Sequence, residues 1–190
     1  MAAQQITLRP PTTSPLPTTS SFTPPTTDWL SGTWHVTHST LPMWSSKRNV
    51  TITYKTLPPT PGSTPQETTD RLDSTVSYQP LTSDKLKTVH GVETASGKDT
   101  GAWDWRGKGW LMIASSHWEV LGWGDLEGEG QWAVTYFAKT LFTPAGIDIY
   151  AREKNGLPGE VVEGIKSALG GIGDEAVKKL AGEVFEVKRD

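Results

Sequence analysis

The sequence predicts an all-β fold: eight antiparallel strands in an up-and-down barrel, followed by a C-terminal helix and preceded by a Thr/Pro-rich tail. Three observations carry this reading. From Trp34 to Arg152, apolar and polar residues alternate in short runs, the period of strands with one buried face. Gly/Pro-rich turns separate the runs at steady spacing, the mark of a sandwich or barrel, and closure favours the barrel because it leaves no edge strands. After Arg152 the apolar period becomes helical.

Residues 1–27 form the tail and residues 28–190 the folded domain. The tail reads "RPPTTSPLPTTSSFTPPTT" over most of its length. It has little apolar surface to bury and favours an extended or disordered chain, with Leu8, Leu16 and Phe22 able to anchor it across the body. It holds no His, Asp, Glu, Cys, Tyr or Lys, so it brings no acid–base group, and removing residues 1–20 is expected to leave the fold intact.

In the first strand Trp34, Val36, His38 and Thr40 share one face, and Thr33, His35, Thr37 and Ser39 the other. Val50, Ile52 and Tyr54 give the second strand; Leu72, Ser74, Val76 and Tyr78 the third; Leu86, Thr88, His90 and Val92 the fourth. Trp103 and Trp105 flank Asp104 in a short fifth strand, which turns Asp104 to water if the indoles face in. The sixth strand reads as a long apolar stretch over 110–123, bent near Ser115-Ser116. Residues 131–139 and 147–152 complete a hairpin through "TPAG". The sixth and seventh strands are apolar on both faces, so the parity of Trp118, Trp123, Tyr136 and Phe137 stays open. Val161, Val162, Ile165, Ala168 and Leu169 then share a helical face that begins near Pro158 and ends at Gly170-Gly171. Asp174 can cap a second short helix through Val177 and Leu180, and "EVFEV" reads as a last short strand.

The totals limit the chemistry. A chain of 190 residues without cysteine has no disulfide, thiolate or Cys-based zinc site, and suits a reducing compartment. No basic segment followed by an apolar run opens it, so the expected location is cytoplasmic. No apolar stretch approaches membrane-spanning length. The net charge is −3 with no basic stripe, so nucleic acid is not an expected partner. No His/carboxylate cluster suggests a metal, no hydrolase, kinase or dinucleotide motif is present, and no cofactor is expected. The oligomeric state is left open. The unusual total is nine tryptophans, six of them between 103 and 132. They suit either a Trp-rich core or an aromatic-lined pocket.

Gly32-x-Trp34 follows the turn "TTDWLSG", and "IDIYAREKNGLPGEVVEGIKSAL" gives a last strand, an arginine and a helix start. In these features the chain, over roughly residues 28–187, resembles a lipocalin or, more broadly, a calycin. The resemblance implies that Trp34 lies at the closed end of the barrel and that Arg152 packs over it. The family's common disulfide, secretion signal and middle motif are missing, and the tail is foreign to it. Fungal secondary-metabolite proteins with calycin barrels include cyclases of the Diels–Alderase type, so the resemblance extends to that group.

An eight-stranded barrel has an interior that side chains fill or that holds one small ligand. Strand parity then nominates His38 and His90 as donors to a ligand carbonyl or as general bases. It nominates Val36, Tyr54, Tyr78, Trp103 and Trp105 as ligand-lining, and Trp118 and Tyr136 are nominated with them from the two strands whose parity stays open. The expected partner is a bulky hydrophobic molecule of polyketide or terpenoid type, whose cyclisation the barrel templates. Two alternatives are a non-catalytic carrier of a fatty acid, pigment or similar ligand, and an interaction module filled by its own tryptophans.

Overall fold

The computed structural model describes residues 6–17, 22–58, 69–97, 100–126, 128 and 130–190. The short helix α1 (Thr27–Leu30) leads into β1 (Gly32–Ser39). Seven strands follow: β2 (Lys47–Thr56), β3 (Arg71–Pro80), β4 (Lys87–Ala95), β5 (Ala102–Gly107), β6 (Ser115–Leu126), β7 (Gly130–Phe137) and β8 (Gly146–Ala151). Helices α2 (Gly159–Gly171) and α3 (Glu175–Gly182) and the two-residue β9 (Phe185–Glu186) end the chain. Each barrel strand pairs antiparallel with the next, and β1 pairs with both β2 and β8, which closes the barrel. β9 adds to the far end of β1, with Ser39 opposite Phe185.

The barrel has one sealed end. Helix α1, capped by the Thr26 hydroxyl on the Trp29 N–H, lies across it. Trp34 is fully buried there, and its indole N–H donates to the Leu30 carbonyl at 2.7 Å. The Arg152 guanidinium sits 3.6 Å from the Trp34 ring centroid. It donates to the Trp29, Ser31 (2.8 Å) and Thr33 (3.2 Å) carbonyls. Gly32 starts β1 at φ +99°, and a Cβ there would lie 3.1 Å from Arg152 Nη1. Both the left-handed backbone and the arginine require glycine at this position. The stack expected from the sequence is present.

The outer wall is covered on one side. Leu121, Val134, Tyr136, Ile147 and Ile149 point outward and pack with Ile165 and Leu169 of α2 and Val177 of α3. Asp174 caps α3 by accepting from the Ala176 and Val177 N–H groups. The described part of the tail runs along β6: the Arg9 N–H donates to the Leu121 carbonyl at 2.8 Å, and Leu8 lies over Gly122.

Two elements differ from expectation. The sixth strand starts at Ser115 rather than 110, because residues 109–114 form a turn in which Trp110, Met112 and Ile113 face solvent. Leu86 lies before β4 in an exposed loop. Apolar content in these two stretches imitated strand pattern where the chain makes loops.

Candidate functional site

The barrel interior is built from strands of period two, so each strand contributes every second residue. β2 turns Val50, Ile52 and Tyr54 inward, and β3 turns Leu72, Ser74, Val76 and Tyr78 inward. Trp103 and Trp105 of β5, Trp118 of β6 and Val36 of β1 also face in. Trp118 is the centre of this set. Its ring stacks near Tyr54 at 5.8 Å, Trp103 at 6.0 Å and Phe137 at 6.3 Å between centroids. Its Nε1–H donates to Glu93 Oε2 at 2.8 Å.

Three nominated residues lie outside the barrel. His38 is turned outward by a β-bulge. Val36 pairs with Tyr150 but His38 pairs with Ile149, so one extra residue reverses the parity of β1 after Val36. The His38 ring contacts the Thr37 hydroxyl at 3.1 Å, and burial, aided by Arg189 and opposed by Glu186, leaves its pKa below the usual imidazole value. His90 is exposed on the outer face, where its ring meets the Thr75 hydroxyl at 3.0 Å. The inward positions of β4 include Val89, Gly91 and Glu93, which lie opposite the inward Val76, Ser74 and Leu72 of β3. Gly91 is small because Trp105 crosses it: a Cβ there would lie 2.0 Å from the Trp105 indole nitrogen. Tyr136 belongs to the outer cluster under α2, made possible because β7 is covered on both faces.

The polar groups inside are carboxyls rather than imidazoles. Burial raises Glu93 to about 7, against the opposing bond from Trp118. Burial likewise raises Asp148 to about 7, although it accepts from the Ser39 hydroxyl at 2.5 Å and the Trp44 indole at 3.2 Å. Burial also pushes the Tyr54 phenol well above its ordinary value. Trp103 Nε1 is buried in the same interior with no hydrogen-bond partner, while the Ser74 hydroxyl lies against Glu93 and the Tyr150 phenol against Tyr54 and Thr135. A group left unmet in this way costs about 1–3 kcal/mol. Asp148 was legible in the sequence as the one acid in the otherwise apolar strand "IDIYA". Glu93 carried no such signal.

The lower barrel is filled by its own side chains, with Trp34, Leu72, Trp118, Val120 and Tyr150 at 0–2% exposure. Toward the other end Val76, Tyr78, Trp105 and Phe137 are inward but only partly buried. Trp44 meets Tyr78 edge-on at 6.1 Å, and Lys47 Nζ stands 5.4 Å from the Tyr78 ring. These side chains form a partly exposed aromatic rim at the end of the barrel opposite Trp34. Two cavities of about 200 and 310 Å³ lie outside the wall, between the tail and β6 and between Ile6 and α2.

The raised acids make stability depend on pH. Their folded pKa values exceed the unfolded ones, so both states are protonated well below pH 4 and neither acid then costs anything. As pH rises from about 4 to 7 the unfolded state ionises first, and each acid removes stability on the order of 3 kcal/mol by about pH 8. Urea titrations at pH 5 and 8 are expected to show the loss, and Glu93→Gln to remove part of it. A wild-type profile that is flat over this window would contradict the buried acids.

No family model matches the chain. A curated relative, the Botcinic acid biosynthesis cluster B protein 12 of Botryotinia fuckeliana, is 31% identical over 166 residues, which cover 84% of this chain and 73% of the relative. Among solved structures, the siderocalin Ex-FABP superposes with a TM-score of 0.55 at 14% identity, over 85% of this chain and 94% of that one. The amine-binding protein of Rhodnius prolixus, in its tryptamine complex, gives 0.52 at 12% identity over 83% and 77%. These two show the fold, an eight-stranded lipocalin barrel with its C-terminal helix, while the identity and reach of the first match show kinship: the chain belongs to the family of the botcinic acid cluster protein, built on a lipocalin barrel.

Proposed function

We propose that the barrel takes one lipophilic, carbonyl-bearing intermediate of secondary metabolism into its aromatic mouth and templates its cyclisation. The observation that carries this is Glu93: a buried acid raised to about 7, hydrogen-bonded to Trp118 inside a barrel that also holds the unpartnered Trp103 indole N–H and whose far end is ringed by partly exposed aromatic side chains. With Trp118 donating to Oε2, the other oxygen is left to hold the proton and to donate it to a ligand carbonyl. The relative's name attaches that protein to the biosynthesis of botcinic acid, which supports a biosynthetic setting.

The energetics suit this reading. Burying roughly 300 Å² of apolar ligand surface gives on the order of 7 kcal/mol, less several kcal/mol for association. Holding a flexible chain in a reactive shape can lower a barrier by up to about 7–11 kcal/mol. One donor on a developing oxyanion adds about 2.7–4 kcal/mol. Cyclisations of pericyclic type need nothing further, and no nucleophile or metal enters the scheme.

The test uses lipophilic extracts and linear polyene carbonyl compounds, with capture followed by mass spectrometry and tryptophan quenching. Wild-type protein is expected to bind and to accelerate ring closure. Glu93→Gln should keep affinity and lose roughly 10²–10³ in rate, the usual effect of losing one such donor. His38→Ala and His90→Ala, both outside the barrel, should match wild type in binding and rate. Binding without any acceleration would make the protein a carrier, and loss of binding in the histidine variants would place the site elsewhere.

A further inference from the structure

The loops β1–β2, β3–β4, β5–β6 and β7–β8 all lie at the open end of an up-and-down barrel. Among the described residues, every large hydrophobic side chain that is strongly exposed lies in these loops. They are Met43 in the first loop and Leu81 and Leu86 in the second. Trp110, Met112 and Ile113 follow in the third, and Leu141 and Phe142 in the fourth. Trp110, Ile113, Leu141 and Phe142 are 87–90% exposed, so they stand clear of the body as separate tips around a ring. What sets them apart is that they are gathered at one end of the barrel rather than scattered over its surface, which makes that end the candidate for an apolar contact.

Charge says which acceptor. Lys85, Lys87, Arg106 and Lys139 are exposed at the same end, and Lys47 joins them at the lip. Lys108 is also there, paired with Asp73. The one acid in these four loops, Asp84, is paired with Arg48. The chain as a whole is at −3, so these loops are more basic than the chain taken as a whole.

We propose that the open end docks on an anionic lipid bilayer, with the Trp110–Ile113 and Leu141–Phe142 tips entering the headgroup–acyl boundary and the lysines meeting lipid phosphates and carboxylates. Tryptophan suits that boundary because its ring is amphipathic. Apolar insertion and electrostatic attraction act together in such binding. A fluid bilayer fits separate protruding tips, whereas a protein partner would need a shaped, continuous surface. Docking in this pose faces the aromatic mouth to the membrane, so a lipophilic molecule passes between them without crossing water. The docking does not depend on which molecule the barrel takes.

The experiment is vesicle flotation with the full chain, using phosphatidylcholine vesicles with and without phosphatidylserine. Binding is expected with phosphatidylserine, at least tenfold weaker without it, and reversed by high salt. Leu141→Ser/Phe142→Ser and Trp110→Ser change exposed side chains and should keep the circular dichroism of the wild type while losing vesicle affinity at least tenfold. Vesicle binding equal in these variants, or absent from the wild type at low salt, overturns the proposal. Self-association of the wild type that the same variants abolish, with no vesicle binding, also overturns it and makes the rim a contact between copies of the chain.

Discussion

Trp34→Ala is expected to destabilise the protein by about 3–5 kcal/mol, as a large-to-small change in a sealed core. The indole touches every part of the closed end: Trp29 at 4.9 Å, Tyr150 at 6.3 Å and Arg152 at 3.6 Å. Truncation leaves a cavity that α1 cannot fill, because Leu30 loses the hydrogen bond that holds it over the ring. It also leaves Arg152 without its stacking partner. Burial has already pulled that guanidinium down to about 10, so it stays charged at neutral pH and needs the carbonyls around it. Trp34→Phe keeps much of the packing and loses the hydrogen bond, for a smaller cost of about 1–2 kcal/mol. Urea unfolding of the two variants decides the matter: a Trp34→Ala loss under about 1 kcal/mol would mean that Trp34 does not seal the barrel.

The second large effect is expected at the tail. Arg9 and Glu119 form an ion pair at 2.8 Å with both side chains at 2% exposure or less. Glu119 also accepts from the Thr12 N–H at 3.0 Å and the Thr12 hydroxyl at 2.6 Å. Arg9 spans further, to the Thr100 carbonyl and over the Phe22 ring. Breaking one side of such a pair leaves a buried charge alone, so Arg9→Ala should cost about 3–5 kcal/mol. Replacing both partners, Arg9→Met with Glu119→Leu, should be nearly neutral, because two desolvation penalties vanish with the attraction. Unfolding free energies and amide exchange along β6 measure both. Near-equal effects of the single and paired changes would show that the ion pair does not hold the tail.

The same contact fixes the response to acid. Burial alone would raise Glu119, but the Thr12 and Arg9 bonds outweigh it and hold its pKa below the usual carboxylate value. A depressed carboxylate contributes stability above its unfolded pKa and loses it as pH falls through the folded one. The tail is therefore expected to loosen below the ordinary carboxylate range, opposite in sense to Glu93 and Asp148, which weaken the barrel as pH rises. The expectation that removing residues 1–20 costs little also changes. Removal takes Arg9 and Thr12 away, although water can then reach Glu119.

The sequence by itself determined the strand order and the late helix pair with its Asp174 cap, which follow from local period and turn residues, while the Trp34–Arg152 closure was implied by the resemblance to lipocalins. It also determined the inward set on β2 and β3, where one face is clearly apolar, while β5 was too short for its two indoles to be assigned from parity alone. Tertiary structure decided the rest. A single extra residue after Val36 reversed His38, and strand pattern does not display bulges. On β4 the inward positions include Gly91, chosen for the indole that crosses it, and Glu93, chosen for Trp118; both are partners from other strands. β6 and β7 are buried on both faces by the helices and the tail, so alternation vanished there and Tyr136 had no readable side. Arg9 and Glu119 lie 110 residues apart and meet only across the folded wall. The site is decided by contacts between strands, and a one-dimensional pattern records only the face each strand prefers.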